Sequence, residues 1–231
     1  MVSRWSEVWD RLPRQFAADD YMRQVAKTLH GEPLNHSQIS EMVRDIAFKL
    51  RLSQDDSLLD LCCGNGVITA QLAEQCRAAV GVDFSRPLLT VAAADFSRPN
   101  LTYRLASALD LSALELKPAS FTRVLLYDAL QHFKPDELAP LLRAIKGIVS
   151  SDRLILLGGL PFRPYRRRYL NSPYKRLRYQ YFRLTGRDLL GTWWRDSDIA
   201  AACAAAGMHY AIHPQPESFY NAAFRIDVTI W

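Results

Sequence analysis

The sequence has no apolar run long enough to cross a membrane. No stretch approaches the roughly 18–20 uncharged apolar residues that span a bilayer. The amino-terminal segment MVSRWSEVWDRLPRQF mixes charged residues with tryptophans and lacks the apolar core of a signal peptide. These absences predict a cytoplasmic protein without a membrane span.

Cysteine is also scarce, and the spacing of the four cysteines does not indicate a disulfide framework. Cys62 and Cys63 are adjacent, Cys76 follows a helical pattern, and Cys203 lies among alanines. No Cys-x-x-Cys pair or Cys/His cluster has zinc spacing. The pattern predicts small buried residues in a reducing compartment, with no disulfides and no metal site.

Negative charge is missing from one long stretch of the chain. Residues 153–187 contain ten basic and no acidic residues, and five tyrosines are interspersed among them, whereas the net charge of the whole chain is only +5. The remainder is therefore weakly acidic. A basic, tyrosine-rich segment on an acidic body predicts a local binding surface for an anionic group, or a solvated insertion.

The hydrophobic pattern changes near residue 55. Before it, apolar residues recur at helical spacing; after it, short apolar strands alternate with helical segments. The predicted strands are 58–61, 79–83, 101–105, 123–127, 153–157, 208–213 and 223–231, and the predicted helices are 67–78, 88–95, 135–149 and one that follows a cap at Asp196 or Ser197 and ends before Gly207. This alternation indicates an α/β fold with a doubly wound, mostly parallel sheet, and the last two strands can pair as an antiparallel hairpin at its edge.

A glycine-containing loop, residues 60–66, follows the first predicted strand and opens a helix. Gly64 and Gly66 allow the backbone to approach a ligand closely. The helix that follows favours an anionic group such as a carboxylate at its N-terminus. Asp83 ends the next strand, where an acid can accept hydrogen bonds from ribose hydroxyls. The combination predicts a nucleoside-containing ligand; the alternative is a tight turn with a helix-capping acid.

These motifs resemble the class I S-adenosylmethionine-dependent methyltransferases. LLDLCCGNGVIT resembles the first motif of that family, VGVDFS the second, ASALDL the segment along the adenine, VLLYDALQHF the fourth, and SSDRLILLGGLP the sequence that follows. The resemblance covers residues 55–160 and implies a Rossmann-like seven-stranded sheet. It divides the chain into a helical cap or lid, 1–54, and a cofactor-binding core, 55–231, with the basic insertion at about 161–190.

The resemblance also implies roles for individual residues. By this resemblance, the methionine end of S-adenosylmethionine is bound by Asp60, Cys62, Gly64, Asn65 and Gly66, and Tyr21 closes over it from the cap. Asp83 would bind the ribose, and the adenine would contact Phe84, Ser107, Ala108 and Leu109. Tyr127, Asp128 and Ala129 form the floor near the sulfonium.

Three positions depart from the family pattern. Cys62 replaces a glycine, which requires backbone dihedrals that suit a residue with a Cβ. Ser107 replaces an aspartate that often contacts the adenine amine. Thr122 replaces the aspartate that usually starts the fourth motif and inherits no role from it.

Three residues near the end of the fourth predicted strand are candidates for catalysis. His132 is the first candidate for a general base, and its alternative is to pack or cap the helix that starts near Pro135. Asp128 is the second candidate, with a cofactor contact as its alternative. Tyr127 would orient donor or acceptor. In the cap, Tyr21, Gln24 and Lys27 share one polar face, which either closes over the methionine moiety or faces solvent.

The acceptor is the least determined feature. The first hypothesis is O-methylation of a small-molecule or glycan acceptor, with an anionic acceptor suggested by the basic stretch. The second is an RNA methyltransferase that uses the same stretch on phosphates and bases. The third is a cofactor-binding partner subunit without catalysis. A nicotinamide dehydrogenase is disfavoured because the loop lacks a third glycine and no Tyr-x-x-x-Lys relay is present.

Overall fold

The computed structural model describes residues 4–231; residues 1–3 of the predicted cap lie outside the described residues. Its main element is a seven-stranded sheet with the order β5-β4-β3-β6-β7-β9-β8. The strands are β3 (Ser57–Leu61), β4 (Ala78–Asp83), β5 (Leu101–Leu105), β6 (Phe121–Tyr127), β7 (Val149–Pro161), β8 (Tyr210–Pro214) and β9 (Arg225–Ile230), and a separate small hairpin comprises β1 (Thr28–Leu29) and β2 (Glu32–Pro33). β3 to β7 pair in parallel, and β9 is antiparallel to both neighbours. The prediction of a mostly parallel seven-stranded sheet with an antiparallel terminal hairpin is confirmed.

Helices cover both faces of this sheet. The helices of residues 4–231 are α1 (Arg4–Arg11), α2 (Tyr21–Gln24), α3 (His36–Leu50), α4 (Thr69–Ala73), α5 (Arg86–Asp95), α6 (Pro135–Ile148), α7 (Arg166–Tyr169), α8 (Pro173–Leu184) and α9 (Asp196–Ala206). Leu58 packs with α3 and α4, whereas its neighbour Leu59 packs with α6 and α9 on the other face. Successive strand residues point to opposite faces, and both faces are buried, which explains why the strand reads as a continuous apolar run.

The predicted cap divides into two parts. Residues 4–33 carry α1, α2 and the small hairpin, whereas α3 buries Ile39, Met42 and Ile46 against the sheet. A capping box between Asn35 and Gln38 starts α3. α3 is therefore one of the helices that build the core, and only the segment before it is positioned as a cover.

Several predicted boundaries were wrong for local reasons. The helix predicted over 67–78 is only Thr69–Ala73, because the Asn100 side chain donates hydrogen bonds to the carbonyls of Ala73 and Cys76 and ends the turn. α9 begins at Asp196, and the residue before it, Arg195, is the N-cap. The backbone N–H of Arg195 donates a hydrogen bond to the Asp198 carboxylate, so neither Asp196 nor Ser197 is the cap. Gly207 ends that helix with φ +62°, as predicted.

β7 continues beyond the predicted end at residue 157 as far as Pro161, with a register shift against β9 between Leu157 and Leu160. The basic insertion then forms α7 and α8. Among residues 4–231, no helix combines the length and the apolar composition needed to cross a bilayer.

Candidate functional site

A cavity of about 1160 Å³ opens at the carboxyl ends of β3, β4 and β6. Ligands of open α/β sheets bind at this edge, where the strand order reverses. Its walls include the residues predicted for the site at the strand ends and in the adenine segment, namely Asp60, Cys62, Gly64, Asn65, Asp83, Phe84, Ser107, Ala108, Leu109, Tyr127, Asp128, Ala129 and His132. The volume exceeds the roughly 300–1,000 Å³ typical of a single-ligand pocket.

The loop after β3 is shaped by left-handed backbone conformations. Cys62 has φ +63° and Gly64 has φ +59°. The Asp83 carboxylate accepts hydrogen bonds from the backbone N–H of Gly64 at 2.9 Å and of Ser85 at 2.8 Å. Burial raises the pKa of Asp83 above its usual value, and these backbone donors limit the rise. The end of β4 is thereby tied to the loop that follows β3.

Asp60 is buried beneath this loop. Its carboxylate accepts a hydrogen bond of 2.6 Å from the Thr69 hydroxyl, the first residue of α4. Burial raises the pKa of Asp60 to about 7. α4 has only five residues, little more than one helical turn. The helix dipole expected to favour an anion at its N-terminus is therefore small.

Two predicted cofactor residues lie outside the cavity wall. The Tyr21 ring packs edge-on against Phe96, with 4.8 Å between centroids, and only its backbone carbonyl reaches the loop, where it accepts a hydrogen bond from Asn65. Gly66 lies against the Tyr103 hydroxyl and Ala92, and a Cβ there would collide with Tyr103. Gly66 therefore permits close packing between the loop and its neighbours rather than access to a ligand.

The other two residues of the predicted polar face of the cap are buried. The Gln24 amide oxygen accepts a hydrogen bond from Asn65, and Lys27 lines the cavity. The Lys27 ammonium lies 2.5 Å from the Asp128 carboxylate and 5.3 Å from the centroid of the Tyr127 ring. These contacts exclude the solvated-face alternative and connect the cap to the floor of the site.

Asp128 is held between two cations. Besides Lys27, Arg225 on β9 lies 3.2 Å from its other carboxylate oxygen. Burial opposes ionisation of Asp128, but Lys27 and Arg225 outweigh it and hold its pKa below the usual value. The carboxylate is therefore a weak proton acceptor, which argues against the general-base role predicted for Asp128.

Tyr127 is also unsuited to proton transfer. Its hydroxyl accepts a hydrogen bond from the Gln215 side chain, and burial raises its pKa well above the usual value. Its ring forms part of the cavity wall beneath Lys27.

His132 lies beside two tryptophans that belong to none of the sequence motifs. The imidazole centroid is 4.1 Å from the Trp5 ring and 5.4 Å from the Trp9 ring, both on α1. All three line the cavity. The i, i+4 spacing of the tryptophans was visible in the sequence, but it signalled only one face of a helix.

The basic stretch contributes little to the cavity. Of its ten basic residues only Arg183 lines the wall. The neighbouring wall is formed by Asp188, Gly191 and Thr192, and the Thr192 hydroxyl donates to the Phe133 carbonyl at 2.6 Å. The other basic side chains of the stretch lie elsewhere.

Comparison with known proteins agrees with this geometry. Residues 58–152 match the family described as "Methyltransferase domain". An uncharacterized methyltransferase of Schizosaccharomyces pombe is 38% identical over 77 residues, which are 33% of this chain and 25% of that protein. The match thus spans about a quarter of that relative.

Solved structures share the fold at low sequence identity. Magnesium protoporphyrin IX methyltransferase from Synechocystis, solved with bound S-adenosylmethionine, has a TM-score of 0.62 at 13% identity, covering 100% of this chain and 97% of that one. A Leishmania major S-adenosylmethionine-dependent methyltransferase has a TM-score of 0.66 at 12% identity, covering 98% and 82%. Residues 58–152 thus match a methyltransferase domain, and the chain shares its fold with S-adenosylmethionine-dependent methyltransferases, one of which was solved with that cofactor bound.

Proposed function

We propose that this chain transfers the methyl group of S-adenosylmethionine to a hydroxyl of a small-molecule or glycan acceptor. The observation that carries the proposal is the shared cavity, whose walls include both the loop after β3 and His132. A methyl donor at the loop and a proton acceptor at His132 would face each other across it.

The residues present fit the cofactor. Asp83 ends β4 with a carboxylate suited to ribose hydroxyls, and Asp60 provides a buried acid near the loop for the amino group of the methionine end. Phe84, Ala108 and Leu109 supply apolar surface for the adenine. When bound, the cofactor supplies an electrophilic methyl group on a sulfonium.

The chain's own residues would align the acceptor and exclude water. Trp5 and Trp9 cover one side of His132 and lower its exposure to solvent. His132 would accept the proton of the acceptor hydroxyl as the oxygen attacks, while Tyr127 and the Lys27–Asp128 pair form the floor. Since Asp128 and Tyr127 are poor proton acceptors, we assign the general base to His132.

The position of the basic stretch favours a small acceptor over RNA. Only Arg183 reaches the cavity, so an acceptor can meet at most one cation of that stretch inside the site. An anionic group on the acceptor would contact Arg183. A nucleic acid would need a continuous path from the remaining basic residues into the cavity.

The test combines cofactor binding with methyl transfer. Replacing Asp83 with Asn should weaken S-adenosylmethionine binding more than about tenfold in calorimetry, because the ribose loses a charged acceptor. His132→Ala should lower transfer of tritiated methyl to a panel of phenols, sugars and oligosaccharides by about 10²–10⁴-fold, with cofactor affinity retained.

His36→Ala is the matched control, since His36 is exposed at the start of α3. It should change neither quantity. Unchanged cofactor affinity in Asp83→Asn would overturn the cofactor assignment, and a near-normal rate in His132→Ala would overturn the assignment of the base.

A further inference from the structure

α8, within the basic insertion, has one anchored face. Tyr179 is its buried residue, and its hydroxyl accepts a hydrogen bond of 3.0 Å from the Trp193 indole. The Arg166 guanidinium lies over the same ring, 5.2 Å from its centroid. These contacts fix the rotation of the helix about its axis.

The opposite face of α8 is an exposed apolar stripe. Tyr174, Leu177, Tyr181 and Leu184 are 70%, 69%, 52% and 88% exposed. Their spacing of three, four and three residues places them on one side of an α-helix, roughly opposite Tyr179. Leaving such a contiguous stripe in water is unfavourable and is typical of an interaction site.

The stripe is accompanied by positive charge. α8 carries Lys175, Arg176, Arg178 and Arg183, and no acidic residue occurs anywhere in residues 153–187. Arg178 lies next to the stripe on the helix surface, at about 40° from Tyr174 at the standard 100° per residue. Basic residues beside exposed leucines and tyrosines are the composition of helices that lie in the plane of a membrane interface.

We propose that α8 docks this chain on an anionic phospholipid bilayer. The stripe enters the boundary between headgroups and acyl chains, and Arg178 beside it contacts lipid phosphates, while the other basic residues of the segment add to the longer-range attraction to an anionic surface. A nucleic acid would match the charge but not the aliphatic Leu177 and Leu184. Because Arg183 also lines the cavity, docking would place the cavity close to the membrane.

The test is sedimentation with vesicles. The chain should bind vesicles of phosphatidylcholine and phosphatidylglycerol in equal parts, and bind vesicles of phosphatidylcholine alone at least about tenfold more weakly, because several basic residues near the surface each add to the attraction. The triple variant Leu177→Gln, Tyr181→Gln, Leu184→Gln should lose on the order of tenfold or more in partition into the anionic vesicles, since it removes the apolar stripe without touching Tyr179.

The matched control is Arg44→Gln with Phe48→Gln on α3, a basic and an apolar residue that are both exposed. It should bind vesicles as the parent chain does, and circular dichroism should show that both variants are folded. The proposal is overturned by absent binding to anionic vesicles, or by equal binding of the triple variant.

Two other outcomes would also overturn it and identify another occupant. In the first outcome, sedimentation equilibrium shows that the parent chain is a dimer and the triple variant a monomer, and neither binds vesicles. A second copy of the chain would then cover the stripe. If oligouridylate binds the parent and the triple variant equally while vesicles bind neither, the basic residues serve RNA.

Discussion

Two residues of the site have backbone conformations that residues other than glycine rarely adopt. Cys62 and Asp128 have φ values of +63° and +53°, and both follow a central strand at the edge of the cavity. A left-handed conformation costs an L-residue roughly 1–2 kcal/mol, and such strain concentrates at functional sites. The glycine expected at position 62 would relieve the strain there, whereas Asp128 is held in place by its two cations.

Asp60 gives the site a testable pH dependence. Its pKa of about 7 means that the carboxyl is partly neutral near neutral pH, and a neutral carboxyl cannot form the ion pair proposed above with the ammonium of the cofactor's methionine end. S-adenosylmethionine affinity should therefore fall as the pH drops below about 7, and binding should release protons. Calorimetry in buffers of different ionisation enthalpy measures both effects.

Asp60→Asn is the control, because it keeps the shape and a polar partner for Thr69 while removing the titration. It should bind the cofactor more weakly at pH 8 and lose the part of the pH dependence centred near 7. An unchanged pH profile in Asp60→Asn would show that Asp60 does not face the ligand's amino group.

At the scale of elements, one ion cluster joins the cap to two strands. Lys27 comes from the segment between α2 and β1, Asp128 follows β6, and Arg225 begins β9. Gly159 on β7, with φ +68°, leaves space for the Asp128 carboxylate, which a Cβ there would meet. The cover of the cavity is thus tied to its floor by a buried charge pair.

Breaking that pair should be costly. Lys27→Met should lower the free energy of unfolding by roughly 3–5 kcal/mol at neutral pH, because Asp128 keeps only one of its two cations in a buried setting. Asp128 has a depressed pKa, so its favourable charge contribution is present above the usual aspartate pKa and is lost as the pH falls through the folded value. The difference between the variant and the parent should shrink in acid, as measured by urea unfolding at several pH values.

Arg23→Met is the matched control in the same segment, because Arg23 forms its ion pairs at the surface with Asp20 and Glu32. Its cost should stay within about 1 kcal/mol. Equal losses in the two variants would mean that the Lys27–Asp128 pair contributes no more than a solvated one.

At the scale of the whole molecule, α3 decides where the cap ends and the core begins. Ile46 is fully buried in the cluster that contains Leu58, Leu125 and Leu156 from three strands. A helix packed in this way shares its core with the sheet. We therefore expect α3 and the sheet to unfold together as one cooperative unit.

Ile46→Ala tests this expectation. It should lower the free energy of unfolding by about 2–5 kcal/mol through a cavity in the shared core. The unfolding curve should remain a single transition, with coincident loss of helical circular dichroism and of tryptophan fluorescence. Phe48→Ala, at a position that is 81% exposed, should change stability by no more than about 0.5 kcal/mol. Two separate transitions in Ile46→Ala would show that α3 folds independently of the sheet.

The sequence by itself determined the order along the chain of the seven strands of the main sheet, the loop at residues 60–66 and Asp83 at the end of its strand. These features are local: apolar periodicity, glycine positions and the residue at a strand end lie within short windows of the chain. The alternation of strands and helices also excluded most other topologies, because parallel strands need crossover helices.

Only the tertiary structure decided which side chains share the cavity. Trp5 and Trp9 meet His132 across more than 120 positions of sequence, and Lys27 and Arg225 meet at Asp128. Tyr21 and Gly66 turned out to pack outside the wall, and nine of the ten basic residues in 153–187 do not line it. Pairings of this kind depend on how elements distant in sequence are packed against one another, and no local pattern carries that information.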